Sequence, residues 1–318
     1  MNVIDWILEG DVSVQYLTKE NLLGFEKCKI ASLRNKILKQ GFGLELCNIQ
    51  DLNTYMWGGG IYSPKYISTH YTLLELCQLG APIFDKRFHF AIEIMFSKMW
   101  INKGQVRPYR HQDLCVVAMM VRIASHARFQ DARIDEMVDY ILEHQMDDGG
   151  WNCAWERKKK PKQSSLHTTL SVLEAFDNYK KNGYTYQLNK VNEVIPQGVE
   201  YIFSKQLYLS VRKEEVIHKD MLSFPFPYNW RYDILRALEV MSSLKITYDE
   251  RMEGAIDIII DRLDVFGRIK ADRKPPSLMN IRYTSTNKLC RFNTYRVLKV
   301  LNYYRTHIYT DYLNKQIS

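Results

Sequence analysis

Residues 167–177 read HTTLSVLEAFD, an apolar run whose first turn holds polar groups, and the same arrangement recurs along the chain. The other copies are HYTLLELCQLG from residue 70, CVVAMMVRIAS from 115, RYDILRALEVM from 231 and FNTYRVLKVLN from 292. Apolar residues spaced three and four apart predict a helix in each copy. A polar residue stands two positions after the start in four copies (Thr72, Thr169, Asp233 and Thr294). We therefore predict a set of equivalent helices from an internal repeat.

Successive copies begin about 45 to 64 residues apart, which leaves room for one further helix and a loop in each unit. Residues 131–145 (DARIDEMVDYILEHQ) and 249–263 (DERMEGAIDIIIDRL) have the pattern of such intervening helices, and residues 12–24 (VSVQYLTKENLLG) predict a sixth inner helix. Six inner and about six outer helices predict an all-α chain that closes into an α/α toroid, an α6/α6 barrel. An open superhelical array is the alternative. No Pro/Gly/Ser-rich linker divides the chain, so we expect one domain, residues 1–318.

Composition and charge exclude several classes of protein. The net charge is +8, but Lys and Arg are spread along the chain and no nucleic-acid motif occurs, so we expect no nucleic-acid partner. No apolar run is long enough to span a membrane, and the first residues do not form a signal peptide. The six cysteines are far apart, which favours reduced thiols. We expect a cytoplasmic protein with, at most, surface contact to a membrane. The oligomeric state stays open.

Residues 145–151, QMDDGGW, resemble the QW motif of squalene-hopene and oxidosqualene cyclases and of protein prenyltransferase β subunits. The resemblance extends over most of the chain. The segments DGGWNC, SSLHTTLSVLEAF, FPYNWRYDILRALEVM and RFNTYRVLKVL are similar to a bacterial group described as prenyltransferase-like or squalene-cyclase-like. This resemblance implies a toroid and an isoprenoid substrate. We expect Gln145 and Trp151 mainly to stabilise the fold, although Trp151 is also a candidate for an aromatic pocket wall.

The two chemistries known for this fold make different demands on the sequence. Terpene cyclases that protonate an alkene use an Asp-rich D-x-D-D motif, which this chain lacks. Protein prenyltransferases bind zinc through an Asp-x-Cys and a later His, and Asp113, Cys115 and His167 match that pattern. The resemblance therefore implies a zinc ion with an open position. Cys153 would be a fourth ligand and would make the site structural. The alternative is that Cys115 is a buried apolar residue and His167 a polar group at a helix start.

Further candidates stand at the starts of the fourth and fifth inner helices. Asp113, His167 and Asp233 are candidate catalytic residues. Arginines near helix N-termini favour an anionic ligand such as a diphosphate or carboxylate, because the helix dipole and the guanidinium act together. The alternative is a structural salt-bridge network. The predicted substrate pocket comprises Trp151, Trp230, Tyr232, Arg236, Arg291, Asn293 and Arg296.

Three hypotheses on function remain. The first is an isoprenoid-processing enzyme, a prenyltransferase or terpene-cyclase-like protein that binds a prenyl or polyprenyl substrate in the central cavity. The second is a carbohydrate-active lyase or hydrolase, which would need two carboxylates across the cavity, and Asp113 and Asp233 are the candidates. The third is a non-catalytic toroid that binds a small apolar or anionic ligand. Fold alone does not choose among them.

Overall fold

The computed structural model describes residues 1–108, 110–157, 159–210, 212–213, 215–271 and 278–317. Within these ranges the α-helices, in chain order, are α1 Val3–Leu8, α2 Val12–Asn21, α3 Ala31–Lys36, α4 Gly41–Asn48, α5 Thr69–Gln78, α6 Lys86–Met99, α7 Leu114–His126, α8 Ala132–Glu143, α9 Leu166–Lys181, α10 Leu188–Phe203, α11 Ile234–Ser243, α12 Glu253–Ile260, α13 Arg291–Tyr304 and α14 Thr306–Asn314. Short 3-10 helices cover Asn102–Gly104, Lys219–Leu222 and Glu250–Met252.

Strands play a minor part in the described structure. One small antiparallel hairpin joins β1 Gln105–Arg107 to β2 Arg110–His111, and another joins β3 Leu209–Ser210 to β4 Glu215–Val216. The prediction of an all-α chain is therefore confirmed in its main point. No helix in the described part of the chain is both long and apolar enough to cross a membrane.

The repeated segments all form helices. The copies from residues 70, 115, 167, 231 and 292 lie in α5, α7, α9, α11 and α13, and the predicted sixth helix is α2. Along this series α5 packs on α7, α7 on α9, α9 on α11, α11 on α13, and α13 on α2. Each of them also contacts the helix that follows it in the chain. The helix pair is therefore the repeating unit.

Two tryptophans connect the end of one helix to the start of the next, α8 to α9 and α4 to α5, in the same way. Trp151 is fully buried; its indole N–H donates to the Ile141 carbonyl near the end of α8 at 2.7 Å. Trp57 is equally buried, and its indole N–H donates to the Leu46 carbonyl in α4 at 2.7 Å. Each indole therefore adds a hydrogen bond to a carbonyl in the last turn of its helix, and at Ile141 it supplements a longer one from the backbone N–H of His144 at 3.3 Å. Gln145 turns back and donates to the Gly149 carbonyl at 2.8 Å, which supports the structural role expected for it.

A threonine hydroxyl completes each junction and defines the repeat register. Thr169 accepts the backbone N–H of Trp151 at 3.0 Å, Thr69 accepts that of Trp57 at 3.1 Å, and Thr294 accepts that of Ile269 at 3.1 Å. The equivalent residue in α5 is therefore Thr69 and not Thr72, which the sequence alignment had placed there. The sequence register for this copy is wrong by three residues, close to one helical turn, because apolar residues recur with the same spacing after such a shift.

Candidate functional site

A cavity of about 420 Å³ lies where the six repeated helices meet. Side chains of α2, α5, α7, α9, α11 and α13 all line it, together with the loop that holds Phe226 and Tyr228. In α5, α7 and α9 the lining residues come from the second half of the helix. Concave sites between helices are frequent ligand-binding places, so this cavity is the first candidate site.

A buried glutamate on α9 stands at the centre of the polar lining. The carboxylate of Glu174 accepts from Tyr228 Oη at 2.6 Å and from Arg236 Nη2 at 2.6 Å, and Arg122 Nη1 lies 2.9 Å from it. Arg122 also donates to Tyr228 Oη at 2.8 Å. Burial alone would raise the pKa of Glu174, but Arg122 and Arg236 outweigh it and lower that pKa to about 2. Glu174 is therefore ionised between two cations.

A third buried arginine continues this cluster on α13. Arg296 Nε donates to Glu239 at 2.7 Å, and its Nη1 donates to Asn293 Oδ1 at 3.1 Å. Its guanidinium lies 5.0 Å from the centre of the Tyr228 ring, and those of Arg236 and Arg122 lie 4.8 and 5.5 Å from it. The ring of Tyr228 is thus surrounded by three cations, a favourable cation–π arrangement.

Asp233 caps α11 beside this cluster. Its Oδ1 accepts the backbone N–H of Arg236 at 2.8 Å and lies 3.8 Å from Arg296 Nη2. The side chain is fully buried. Burial raises the pKa of Asp233 to about 6, although Arg296 opposes the shift.

The cavity carries an excess of positive charge. Among its described lining residues are eight Lys and Arg side chains against four Asp and Glu. Arg122 Nε, Arg236 Nε and Arg296 Nη2 are buried without a hydrogen bond to any described residue. A buried ion pair is weak evidence for stability, since apolar replacements are often as stable. Perturbed, buried charges in a cavity are instead typical of functional sites.

His167 lies in a separate group at the start of α9. Its Nδ1 accepts the backbone N–H of Tyr232 at 3.0 Å, and its ring lies 5.4 Å from that of Trp230 and 6.0 Å from that of Tyr232. Burial, together with Arg236 and Arg231, lowers the pKa of His167 to about 4. The imidazole is therefore neutral at physiological pH, with Nδ1 occupied by the backbone.

The two candidate zinc cysteines are close to each other. The backbone N–H of Cys115 donates to Cys153 Sγ at 3.2 Å, and Thr168 Oγ1 lies 3.3 Å from the same sulfur. The Cys115 thiol donates to Cys153, which raises the pKa of Cys115 and lowers that of Cys153, and burial adds to the rise at Cys115. Asp113 is near enough to act on both electrostatically, and burial raises its own pKa.

A metal-binding arrangement needs more than these contacts. Within the described ranges, no group of three or more His, Cys, Asp and Glu side chains is placed to hold a metal ion. The chemistry of Asp113, Cys115 and Cys153 suits zinc, but His167 has only Nε2 free of the backbone contact described above. The zinc site stays a prediction.

The remaining predicted pocket residues lie in different places. Arg236 and Arg296 line the central cavity, and Asn293 faces a smaller cavity near the starts of α5 and α13. Arg291 packs on α1, where its Nε donates to the Trp6 carbonyl at 2.8 Å. Trp151 belongs to the junction between α8 and α9.

Sequence reasoning missed Arg122, Glu174, Tyr228 and Glu75, the last of which lines the smaller cavity. A signal for three of them was present. Each repeated segment contains a charged residue inside its apolar run, and in the first three copies these are Glu75, Arg122 and Glu174. Charged residues are seldom buried unless they are paired, so their recurrence predicts a buried polar cluster. Tyr228 stands in the segment FPYNWRYDILRALEVM, but it lies in a loop before the helix, where no periodicity indicates a buried position.

No protein-family model matches this chain, and no curated protein matches it significantly.

Proposed function

We propose that this chain is an isoprenoid-processing protein whose central cavity binds the diphosphate of a prenyl substrate. The observation that carries the proposal is the cluster of Arg122, Arg236 and Arg296, all buried and all lining a cavity with excess positive charge. Guanidinium groups bind phosphate oxygens in pairs, and a site with little water strengthens that attraction. The prenyl part of the proposal rests on the sequence resemblance. The toroid mouth carries the candidate catalytic residues Asp113, His167 and Asp233.

The proposal includes a closed toroid, which two features of the structure support. The helix contacts continue from α13 to α2, and all six helices line one cavity. Where the ends meet, Asn21 Nδ2 on α2 donates to Tyr295 Oη on α13 at 3.0 Å. A double-mutant cycle with Asn21→Ala and Tyr295→Phe tests closure in solution. We expect a coupling free energy of unfolding of about 1 kcal/mol. A coupling of zero would contradict contact between the two helices.

The proposal also retains zinc at Asp113, Cys115 and His167, with Cys153 as the fourth ligand. When bound, zinc would act as a Lewis acid or activate a thiolate. Two contacts of the described side chains do not depend on zinc. The hydrogen bond from Cys115 favours the thiolate of Cys153, and the backbone of Tyr232 fixes the imidazole of His167.

Calorimetric titration with inorganic pyrophosphate, geranyl diphosphate and geraniol tests the proposed function. We expect pyrophosphate to bind, geranyl diphosphate to bind more tightly, and geraniol to bind least. Arg236→Gln should weaken the binding of both anions at least about tenfold, since a charged hydrogen bond contributes about 1.5–3 kcal/mol. Arg296→Lys keeps the charge but loses the paired N–H geometry, so it should weaken binding less.

The matched control is Arg128→Gln, which changes an exposed arginine at the edge of the same cavity. It should alter the affinity for pyrophosphate less than about fivefold, because exposed ion pairs contribute at most about 1 kcal/mol. Urea unfolding of each variant shows whether the fold is intact. If neither anion binds to the folded protein, or if Arg236→Gln and Arg128→Gln have equal effects, the proposed function fails.

The positive cavity also favours the carboxylate of an acidic sugar, which keeps the carbohydrate-active alternative open. Asp113 and Asp233 would be the carboxylates of such an enzyme. Adding oligogalacturonate to the same titration separates the two: binding of this ligand in preference to geranyl diphosphate favours the lyase or hydrolase. Binding of either ligand without turnover favours the non-catalytic toroid.

A further inference from the structure

A second, smaller cavity opens near the starts of α5 and α13. Its volume is about 140 Å³. Four aromatic side chains line it: Tyr66, Phe224, Phe226 and Tyr283. A cavity of about 150 Å³ with apolar walls takes up a molecule the size of benzene, so this one accommodates a group of that size. The size and the walls suit a compact, mostly apolar ligand.

An aromatic wall separates this cavity from the arginine-lined one. Phe226 lines both cavities, and its ring stacks on that of Phe292 with centroids 4.1 Å apart and an angle of 10° between the planes. Tyr283 packs edge-on against Phe226 at 5.1 Å. The two cavities are therefore neighbours with different chemistry, one cationic and one aromatic.

An acidic side chain, that of Glu75, is among the described residues of this lining. Glu75 on α5 is only 2% exposed. Its Oε2 lies 3.3 Å from Tyr283 Oη, which is long for a hydrogen bond between oxygens. Its Oε1 has no hydrogen bond to a described residue. Burial raises the pKa of Glu75 to about 8, against which the contact with Tyr283 acts only weakly. The group is therefore a neutral carboxylic acid at pH 7, with one O–H donor to offer.

The charged groups around this cavity do not neutralise Glu75. Arg231 interacts with the Tyr66 hydroxyl at 3.1 Å and with Asp220 at 3.9 Å, and Arg282 is exposed. Among the residues that the structure describes, no arginine or lysine contributes to the shifted pKa of Glu75. A buried donor without a strong partner costs free energy, which a ligand acceptor would recover.

We propose that this cavity binds a small, uncharged, mostly apolar group that bears one oxygen acceptor, and that Glu75 donates a hydrogen bond to that oxygen. The four aromatic rings enclose the apolar part. A ketone, aldehyde, ester or epoxide oxygen fits this description. The same hydrogen bond polarises the acceptor, which is the first requirement of general-acid assistance. This site is independent of the proposed diphosphate site.

Ligand-observed NMR titration with a matched set of probes tests the inference on the full chain. Cyclohexanone carries an acceptor, cyclohexane carries none, and cyclohexylammonium carries a positive charge on the same ring. We expect cyclohexanone to bind about tenfold more tightly than cyclohexane, the factor for a hydrogen bond of about 1.4 kcal/mol. Cyclohexylammonium should bind least, because Glu75 is neutral.

Two variants of nearly the same size locate the effect at Glu75. Glu75→Gln keeps an N–H donor, so cyclohexanone should bind within about threefold of the parent affinity. Glu75→Leu removes the donor and should abolish the preference for cyclohexanone over cyclohexane. Arg236→Gln is the control in the other cavity and should leave cyclohexanone binding unchanged, whatever its effect on pyrophosphate.

Several results would overturn the inference. These are equal binding of cyclohexanone and cyclohexane, tightest binding of cyclohexylammonium, no binding of any probe, or a preference that survives Glu75→Leu in a folded variant. Because pyrophosphate binding is measured separately, failure here leaves the proposed diphosphate site standing, and the reverse also holds.

Discussion

Replacement of Glu75 by glutamine should stabilise the protein by an amount that grows with pH. The pKa of this carboxyl is 4.5 in an unfolded chain and about 8 in the folded protein, because burial disfavours the charged form. A raised carboxyl pKa means that the unfolded state releases its proton first. The contribution of the neutral Glu75 carboxyl to the free energy of unfolding is therefore fully present below pH 4.5 and is lost as the pH rises towards 8.

The magnitude follows from the two pKa values. Every pH unit between them removes about 1.4 kcal/mol from the free energy of unfolding. The parent protein thus loses about 3 kcal/mol from Glu75 between pH 4.5 and pH 7, and about 4 kcal/mol by pH 8. Glu75→Gln does not titrate, so its free energy of unfolding relative to the parent should rise by these amounts. Titrations shared by both proteins cancel in the difference.

Urea unfolding followed by circular dichroism at several pH values between 4.5 and 8 measures this difference. The matched control is Glu143→Gln, the same substitution at an exposed position on α8. The free energy of unfolding of Glu143→Gln should stay within about 0.5 kcal/mol of the parent value at every pH. A flat difference for Glu75→Gln would refute the reasoning, since it would mean that the carboxyl ionises in the folded protein as it does in water.

Three further predictions concern other parts of the molecule. Glu174→Gln should lower the free energy of unfolding by about 3–5 kcal/mol at pH 7, because it leaves Arg122 and Arg236 buried without their anion; a loss below 1 kcal/mol in urea unfolding would contradict this. Trp151→Phe should cost about 1–3 kcal/mol, because it removes the indole hydrogen bond to the Ile141 carbonyl and puts a smaller ring in a fully buried position, with pyrophosphate affinity unchanged in calorimetry; a large change in affinity would instead place Trp151 in the ligand site. Elemental analysis of protein purified without chelator should give one zinc per chain, reduced in Cys115→Ser, and a metal-free parent protein would remove the zinc site.

The helices were predictable from the sequence, because apolar spacing alone is sufficient to indicate them. The alignment between the repeats was less predictable from the sequence. Thr72 and Thr69 both stand near the start of α5, and only the hydrogen bond from Trp57 shows that Thr69 is the equivalent of Thr169. The MWGGG segment at residues 56–60 carries the same tryptophan junction as QMDDGGW but with the order of Trp and Gly reversed, so a search for the motif passes over it.

The site was harder to predict than the fold for a physical reason. The sequence predicts that residues at the starts of the repeated helices converge, but Arg291 packs on α1 while Arg296, five residues later on the same helix, faces the central cavity. A difference of five residues rotates a side chain well around a helix, and the sequence does not state which face meets the cavity. The loop that carries Tyr228 has no periodicity at all, so its place among three arginines depends wholly on tertiary packing.

The charged residues inside the apolar runs would link the proposed closure of the helix series to the proposed anion binding. Arg122 lies on α7, Glu174 on α9 and Arg236 on α11, so the central ion cluster exists only if these helices are neighbours in this order. Arg296 on α13 joins it through Tyr228, next to the contact between α13 and α2. Each of these charges would be costly in an isolated helix pair, because its partner comes from a different pair. The same packing that makes the charges tolerable also gathers an excess of cations around one cavity. Anion binding and helix closure are therefore expected to fail together in variants of Glu174, whereas variants of Arg236 that remain folded should lose anion binding alone.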